Sequence, residues 1–113
     1  MKYFKLSEFN CHYTGKNRMD PEFLEKLDNL RDSCGFSFVV TSGYRDKEHP
    51  VEEAKETPGT HNLGIAADIK VTNGSQRFTL VQKALEQGFT GIGVASDFVH
   101  LDTRETTPVM WTY

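Results

Sequence analysis

The sequence predicts an α+β domain in which helices pack on one face of a small, mostly antiparallel sheet. Three observations predict it: two segments repeat apolar residues at helical spacing, the segments between them have strand character, and the order runs helix, strand, loop, strand, helix, hairpin. With 113 residues the chain can bury one modest core and not two, so a single domain over residues 1–113 is expected.

The first helix is read in MDPEFLEKLDNLRDSCG. Asp20 is placed to cap it, Pro21 suits the first helical position, and Phe23, Leu24, Leu27 and Leu30 fall on one face before Gly35 ends it. FSFVVTSG follows with the β-branched and aromatic character of a strand and stops at Gly43. Residues 46–60 are polar, contain Pro50 and Pro58, and predict a loop with a helical turn near Val51 to Lys55. Loops this long in compact domains are usually functional.

Ile65 to Val71 reads as a second strand. Ser75 to Gln87 reads as a second helix, with Phe78, Val81, Ala84 and Leu85 expected inward and Gly88 as its stop. GIGVASDFVHLDTR closes the pattern as two strands around a tight turn at Ala95 to Asp97. Met110, Trp111 and Tyr113 are expected to cover an edge of the core, a cleft wall being the alternative for Trp111.

Composition excludes several classes. Thirteen basic against sixteen acidic residues give a net charge of -3, and neither sign forms a run, so nucleic-acid binding is not expected. MKYFKLSEFN alternates apolar with polar residues where a secretory signal would be continuously apolar, and no membrane-length stretch follows; synthesis in the cytoplasm and no membrane partner are expected. Cys11 and Cys34 lack CxxC spacing and are too few for a disulfide framework, so both read as buried thiols. Neighbouring side chains on an extended segment point opposite ways, so Cys11 and His12 do not make half a zinc site. His12 and His49 are assigned to structure or solvent.

A charge inside an apolar run is the first sign of chemistry. Alternation places Ile65, Ala67, Ile69 and Val71 on one face of their strand and Ala66, Asp68 and Lys70 on the other. The same parity in FVHLD turns Val99 and Leu101 inward and leaves Phe98, His100 and Asp102 opposite. Two strands thus offer Asp68 and His100 on a face away from the core, and His61, at the end of the long loop, is placed to add a third ligand from the rim. Two imidazoles and a carboxylate with the fourth position left to water make the ligand set of a catalytic zinc site. Zinc lowers the pKa of its water to about 7 and polarises a carbonyl, which makes hydrolysis feasible at neutral pH. Asp97, three residues before His100, reaches that water as general base if the turn carries it out of strict alternation.

The motifs SGYR, then H-x6-D within GTHNLGIAADI, then GIGV followed by D-x-x-H in SDFVHLDTR resemble those of the zinc D-Ala-D-Ala carboxypeptidase and phage endolysin peptidases, in the hedgehog and lysostaphin-type metallopeptidase group. FKLSEFNC and LDNLRDSCG are also similar to the family's opening segment, so the likeness covers nearly the whole chain. The resemblance implies a hedgehog/DD-peptidase-like fold, Zn2+ held by His61, Asp68 and His100, Asp97 as the base, and Arg45 of SGYR facing the substrate. A guanidinium there has a physical reason, since it can stabilise the oxyanion formed when an amide is attacked. Its plain alternative is a surface ion pair with Glu48 or Asp46.

Ser42 and Tyr44, flanking Arg45 in the motif, are candidate substrate-binding residues, although Ser-Gly-Tyr is also ordinary turn chemistry. Asp102 is either a carboxylate that hydrogen-bonds His100 from behind and orients it, or a turn or salt-bridge partner for Arg104. Gly91 and Gly93 leave one strand face without bulk, either for a substrate backbone or for packing. The function implied is a monomeric zinc peptidase cutting peptidoglycan stem peptides, of D-Ala-D-Ala carboxypeptidase or L-Ala-D-Glu endopeptidase type, as a phage or prophage endolysin acting on the cell wall after release through a separate pore. The alternatives are a non-catalytic, hedgehog-like zinc module that binds the wall or a protein partner, and a metal-free wall-binding domain.

Overall fold

A computed structural model describes residues 1–113. A 3-10 turn, Leu6–Phe9, precedes helix α1, Pro21–Cys34; then come β1, Val40–Ser42, the short helix α2, Pro50–Glu53, β2, Ala66–Lys70, α3, Gly74–Glu86, β3, Gly91–Val94, β4, Phe98–Asp102, and β5, Val109–Thr112. The five strands form one sheet in the order β1-β2-β4-β3-β5, antiparallel except for the β3/β5 pair, so the expected α+β architecture is present.

Helix α1 follows its sequence closely. Pro21 opens it, Phe23, Leu24, Leu27 and Leu30 are buried on its inner face, and Gly35 ends it in the left-handed region at φ 75°, where its N–H donates to the Arg31 carbonyl. Asp20, expected as the cap, makes no side-chain cap bond; its backbone N–H is engaged by the Gly64 carbonyl at 2.9 Å, which ties the helix start to the loop before β2. Helix α3 is capped by Asn73, whose side chain accepts from the Gln76 N–H at 2.8 Å.

The face α3 buries differs from the expected one. Leu80 and Ala84 are buried and Val81 is half-buried, whereas Phe78 and Leu85 are 69% and 55% exposed. Apolar residues at 78, 80, 81, 84 and 85 wrap more than one face, so periodicity leaves the rotation open; the contact of Leu80 and Ala84 with the sheet sets it. The strand read in FSFVVTSG is likewise shorter, because only Val40–Ser42 pair with β2 while Phe38 turns toward Phe4 in the core and Phe36 packs on Phe38.

The core lies between the helices and one face of the sheet: Leu27, Leu30, Leu80 and Ala84 meet Ala67, Ile69, Ile92, Val99 and Leu101. Cys11 is buried as expected and Cys34 only half-buried; both are free thiols, and burial pushes Cys34 up to about 11. No helix is long and apolar enough to cross a membrane.

Candidate metal centre

The opposite face of the sheet carries the polar residues, and strand register places them in one row. Ser42 stands opposite Asp68, Asp68 opposite His100, His100 opposite Gly93, and Gly93 opposite Trp111. Paired residues on neighbouring strands present their side chains to the same face. The alternation read in the sequence therefore becomes a line of side chains across the sheet, and Asp68 and His100 are 6% and 4% exposed.

His61 joins them from the loop. Its Nδ1 lies 2.7 Å from the Gly43 carbonyl, which can only accept, so Nδ1 carries the hydrogen and Nε2 is left with a free lone pair. His100 is oriented in the opposite sense. Its Nε2 donates to Asp102 Oδ2 at 2.7 Å, leaving Nδ1 as the bare atom. That Nδ1 is 3.2 Å from His61 Nε2 and 3.1 Å from Asp68 Oδ1, and His61 Nε2 is 3.3 Å from the same oxygen.

These separations suit a metal. A tetrahedral zinc with bonds of about 2.0–2.2 Å holds its ligand atoms about 3.3–3.6 Å apart, within a few tenths of an ångström of the observed spacings. Two imidazole lone pairs also face each other across 3.2 Å in the neutral tautomers, an arrangement that a cation or a shared proton must stabilise. His61, Asp68 and His100 are the one cluster of metal-competent groups in the chain.

The electrostatics follow from the same contacts. Burial would push Asp68 up, but with a proton shared between the two facing rings, hydrogen bonds from His100 and His61 hold it well below the usual carboxylate range. Burial likewise opposes ionisation of Asp102, and hydrogen bonds from His100 and Arg104 hold it low as well. For His100 burial would lower the value, yet Asp102 and Asp68 together raise it.

Asp102 is fully buried and contacts both partners read for it. One oxygen accepts from His100, and both accept from the Arg104 guanidinium, at 2.9 and 2.6 Å. Gly91 makes room for it, since a Cβ there would stand 2.1 Å from the carboxylate. Gly93 makes room for Trp111 in the same way, a Cβ coming within 2.6 Å of the indole. The bare strand face is filled by packing rather than left for a substrate backbone.

Arg45 reaches the centre, with Nη2 3.6 Å from Asp68 Oδ2, and pairs with neither Glu48 nor Asp46. Its backbone N–H donates to the His61 carbonyl, and its own carbonyl accepts from Asn62, so the SGYR segment and the His61 loop are held together. Arg45, His61, Asp68 and His100 line a pocket of about 430 Å³ with Lys55, Pro58, Gly59, Thr60, Phe98, Arg104, Trp111 and Tyr113. A larger hollow of about 540 Å³ lies beyond Thr60 and Arg104, against Phe23 and Lys26, and contains none of the three metal-competent residues.

Three expected site residues are placed elsewhere. Asp97 is exposed in the β3–β4 turn and does not line the pocket, because Phe98 takes the strand position on the site face and Arg77 of α3 holds the turn through the Ala95 and Ser96 carbonyls. Tyr44 is buried in the core at 4% exposure. Ser42 is half-buried beside Asp68 on the site face but is not part of the pocket wall.

Sequence reading missed the strand β5 and, with it, the place of Tyr113 in the pocket; Trp111 lines the pocket, the alternative read for it, and does not cover a core edge. The available signal was the alternation of Val109, Trp111 and Tyr113, which favours a strand over a loose edge cover. Residues 2–102 match a family model described as Peptidase M15, and no curated protein matches the chain. The match runs through the last residue of β4 and ends before β5.

Proposed function

Because the chain belongs to the peptidase M15 family, the zinc D-Ala-D-Ala carboxypeptidase-like peptidases, we propose that it is a zinc peptidase that hydrolyses a peptide bond in peptidoglycan stem peptides. The observation that carries this reading is the meeting of His61 Nε2, Asp68 Oδ1 and His100 Nδ1 at 3.1–3.3 Å in the wall of a pocket open to solvent. Three protein ligands with space beside them make a catalytic donor set, whereas structural zinc sites close with four.

Zinc at these residues supplies Lewis acidity, lowering the pKa of water to about 7 and polarising a carbonyl. The chain supplies the rest. His61 and His100 are locked in the required tautomers by the Gly43 carbonyl and Asp102. Arg45, beside Asp68 in the pocket wall, is placed to donate to an amide oxygen as it gains negative charge, and such donors act strongly where water is excluded. Apart from Asp68, no carboxylate lines the pocket, so the base role expected of Asp97 is not assigned to it.

Both D-Ala-D-Ala carboxypeptidase and L-Ala-D-Glu endopeptidase activity fit this reading. We further propose that the chain acts as a monomer, as a phage or prophage endolysin made in the cytoplasm and released to the wall through a separate pore. The lack of a second pocket carboxylate favours one other reading, a zinc module that binds its partner without turnover. Mass spectrometry of peptidoglycan treated with the purified protein, with and without chelator, separates them. Chelator-sensitive release of stem-peptide fragments supports the peptidase, and stoichiometric zinc with no released fragment supports the binding module.

A further inference from the structure

The strand that lies beyond the family match carries two aromatic side chains into the pocket. Trp111 and Tyr113 are two residues apart and so share a strand face. In register with Gly93, the indole of Trp111 occupies the notch left by the missing side chain, with its ring centroid 5.0 Å from that of His100 and 5.2 Å from the Arg104 guanidinium carbon. Tyr113 continues the line, 6.4 Å from Trp111 and 5.0 Å from Phe98. The result is an aromatic strip running outward from a metal-competent histidine, long enough for two or three residues of an extended chain at about 3.3 Å each.

We propose that Trp111 and Tyr113 form a substrate subsite that packs against an acidic peptide on one side of the bond to be cut, making them specificity-determining residues. This rests on the peptidase reading above. Two observations favour a peptide over a saccharide as the occupant. The strip begins on His100, where the scissile amide has to sit, so the first group to reach it is the residue flanking that amide. The other charged residues lining the pocket are three cations, Arg45, Lys55 and Arg104; Lys55 and Arg104 are paired with Glu52 and Asp102, but those carboxylates are buried behind the wall, so apart from Asp68 the charged groups facing the occupant are cationic, which complements a peptide bearing carboxylates.

Trp111 is the chain's one tryptophan, so its emission reports on this subsite alone. The test titrates the stem pentapeptide L-Ala-D-Glu-L-Lys-D-Ala-D-Ala into the full chain, zinc-loaded and chelated, and compares Tyr113→Ala and Tyr113→Phe. Tyr113 is 69% exposed, so its truncation leaves the core intact. The expected result is a saturable change in Trp111 emission, with affinity about three- to tenfold weaker in Tyr113→Ala, retained in Tyr113→Phe, and zinc content unchanged. Equal affinity in Tyr113→Ala overturns the subsite, as does a response to muramyl disaccharide in place of the peptide. If the parent nevertheless releases fragments from peptidoglycan, the peptidase reading survives that failure. A parent that neither binds the pentapeptide nor releases fragments defeats both.

Discussion

His100 donates its Nε2 hydrogen to Asp102 at 2.7 Å, and this bond turns Nδ1 toward His61 and Asp68. Carboxylates behind metal-binding histidines fix the tautomer and raise the basicity of the ring, and losing one typically costs about 10- to 100-fold in metal affinity. Asp102→Asn, which keeps the shape, is therefore expected to weaken zinc binding by about that factor, measured by competition with a chelating dye. Unchanged affinity would show that the ring is oriented by packing against Trp111 instead.

His61 and Asp97 give opposite expectations. His61→Ala removes one of three donor atoms and should lose bound zinc outright, read as metal content after dialysis. Asp97 is exposed in its turn and away from the pocket, so Asp97→Ala should keep both zinc and turnover, with kcat within about tenfold of the parent. Abolished cleavage with zinc retained would mean that the turn swings inward in the reacting complex.

The pH dependence of the zinc-free protein should fall off on both sides. Asp68 and Asp102 are held below their ordinary values, so they contribute stability fully present above about pH 4 and lost as the pH falls further. His100 is raised despite its burial, so its contribution is fully present below about pH 6.5 and lost as the pH climbs through the raised value. Urea denaturation of the chelated protein should show its greatest stability between these limits. Added zinc should restore stability most on the alkaline side, where the imidazoles are already deprotonated.

Gly93→Ala and Gly91→Ala test how the site face is filled. A methyl group at 93 meets the Trp111 indole at 2.6 Å, and one at 91 meets the Asp102 carboxylate at 2.1 Å. Overpacking of this kind typically costs about 1–3 kcal/mol. Both variants should melt lower, Gly93→Ala with altered Trp111 emission and Gly91→Ala with weakened zinc binding. A Gly91→Ala protein with parental zinc affinity would contradict the close fit behind His100.

What could be read along the chain was whatever depends on local period. Alternation in IAADIKV and FVHLD already separated Asp68 and His100 from the core residues beside them, and the apolar spacing of α1 with Pro21 and Gly35 marked that helix. The end of the long loop offered His61 and the family motif SGYR added Arg45, and both line the pocket. Tertiary structure decided what local period leaves free. The rotation of α3 came from the contact of Leu80 and Ala84 with the sheet, and the parallel pairing of β5 with β3 put Trp111 over His100. The loss of Asp97 from the pocket followed from Phe98 holding the site-face position and Arg77 reaching across from another element. Those outcomes are set by contacts between segments distant in sequence, which strand alternation and helical spacing do not encode.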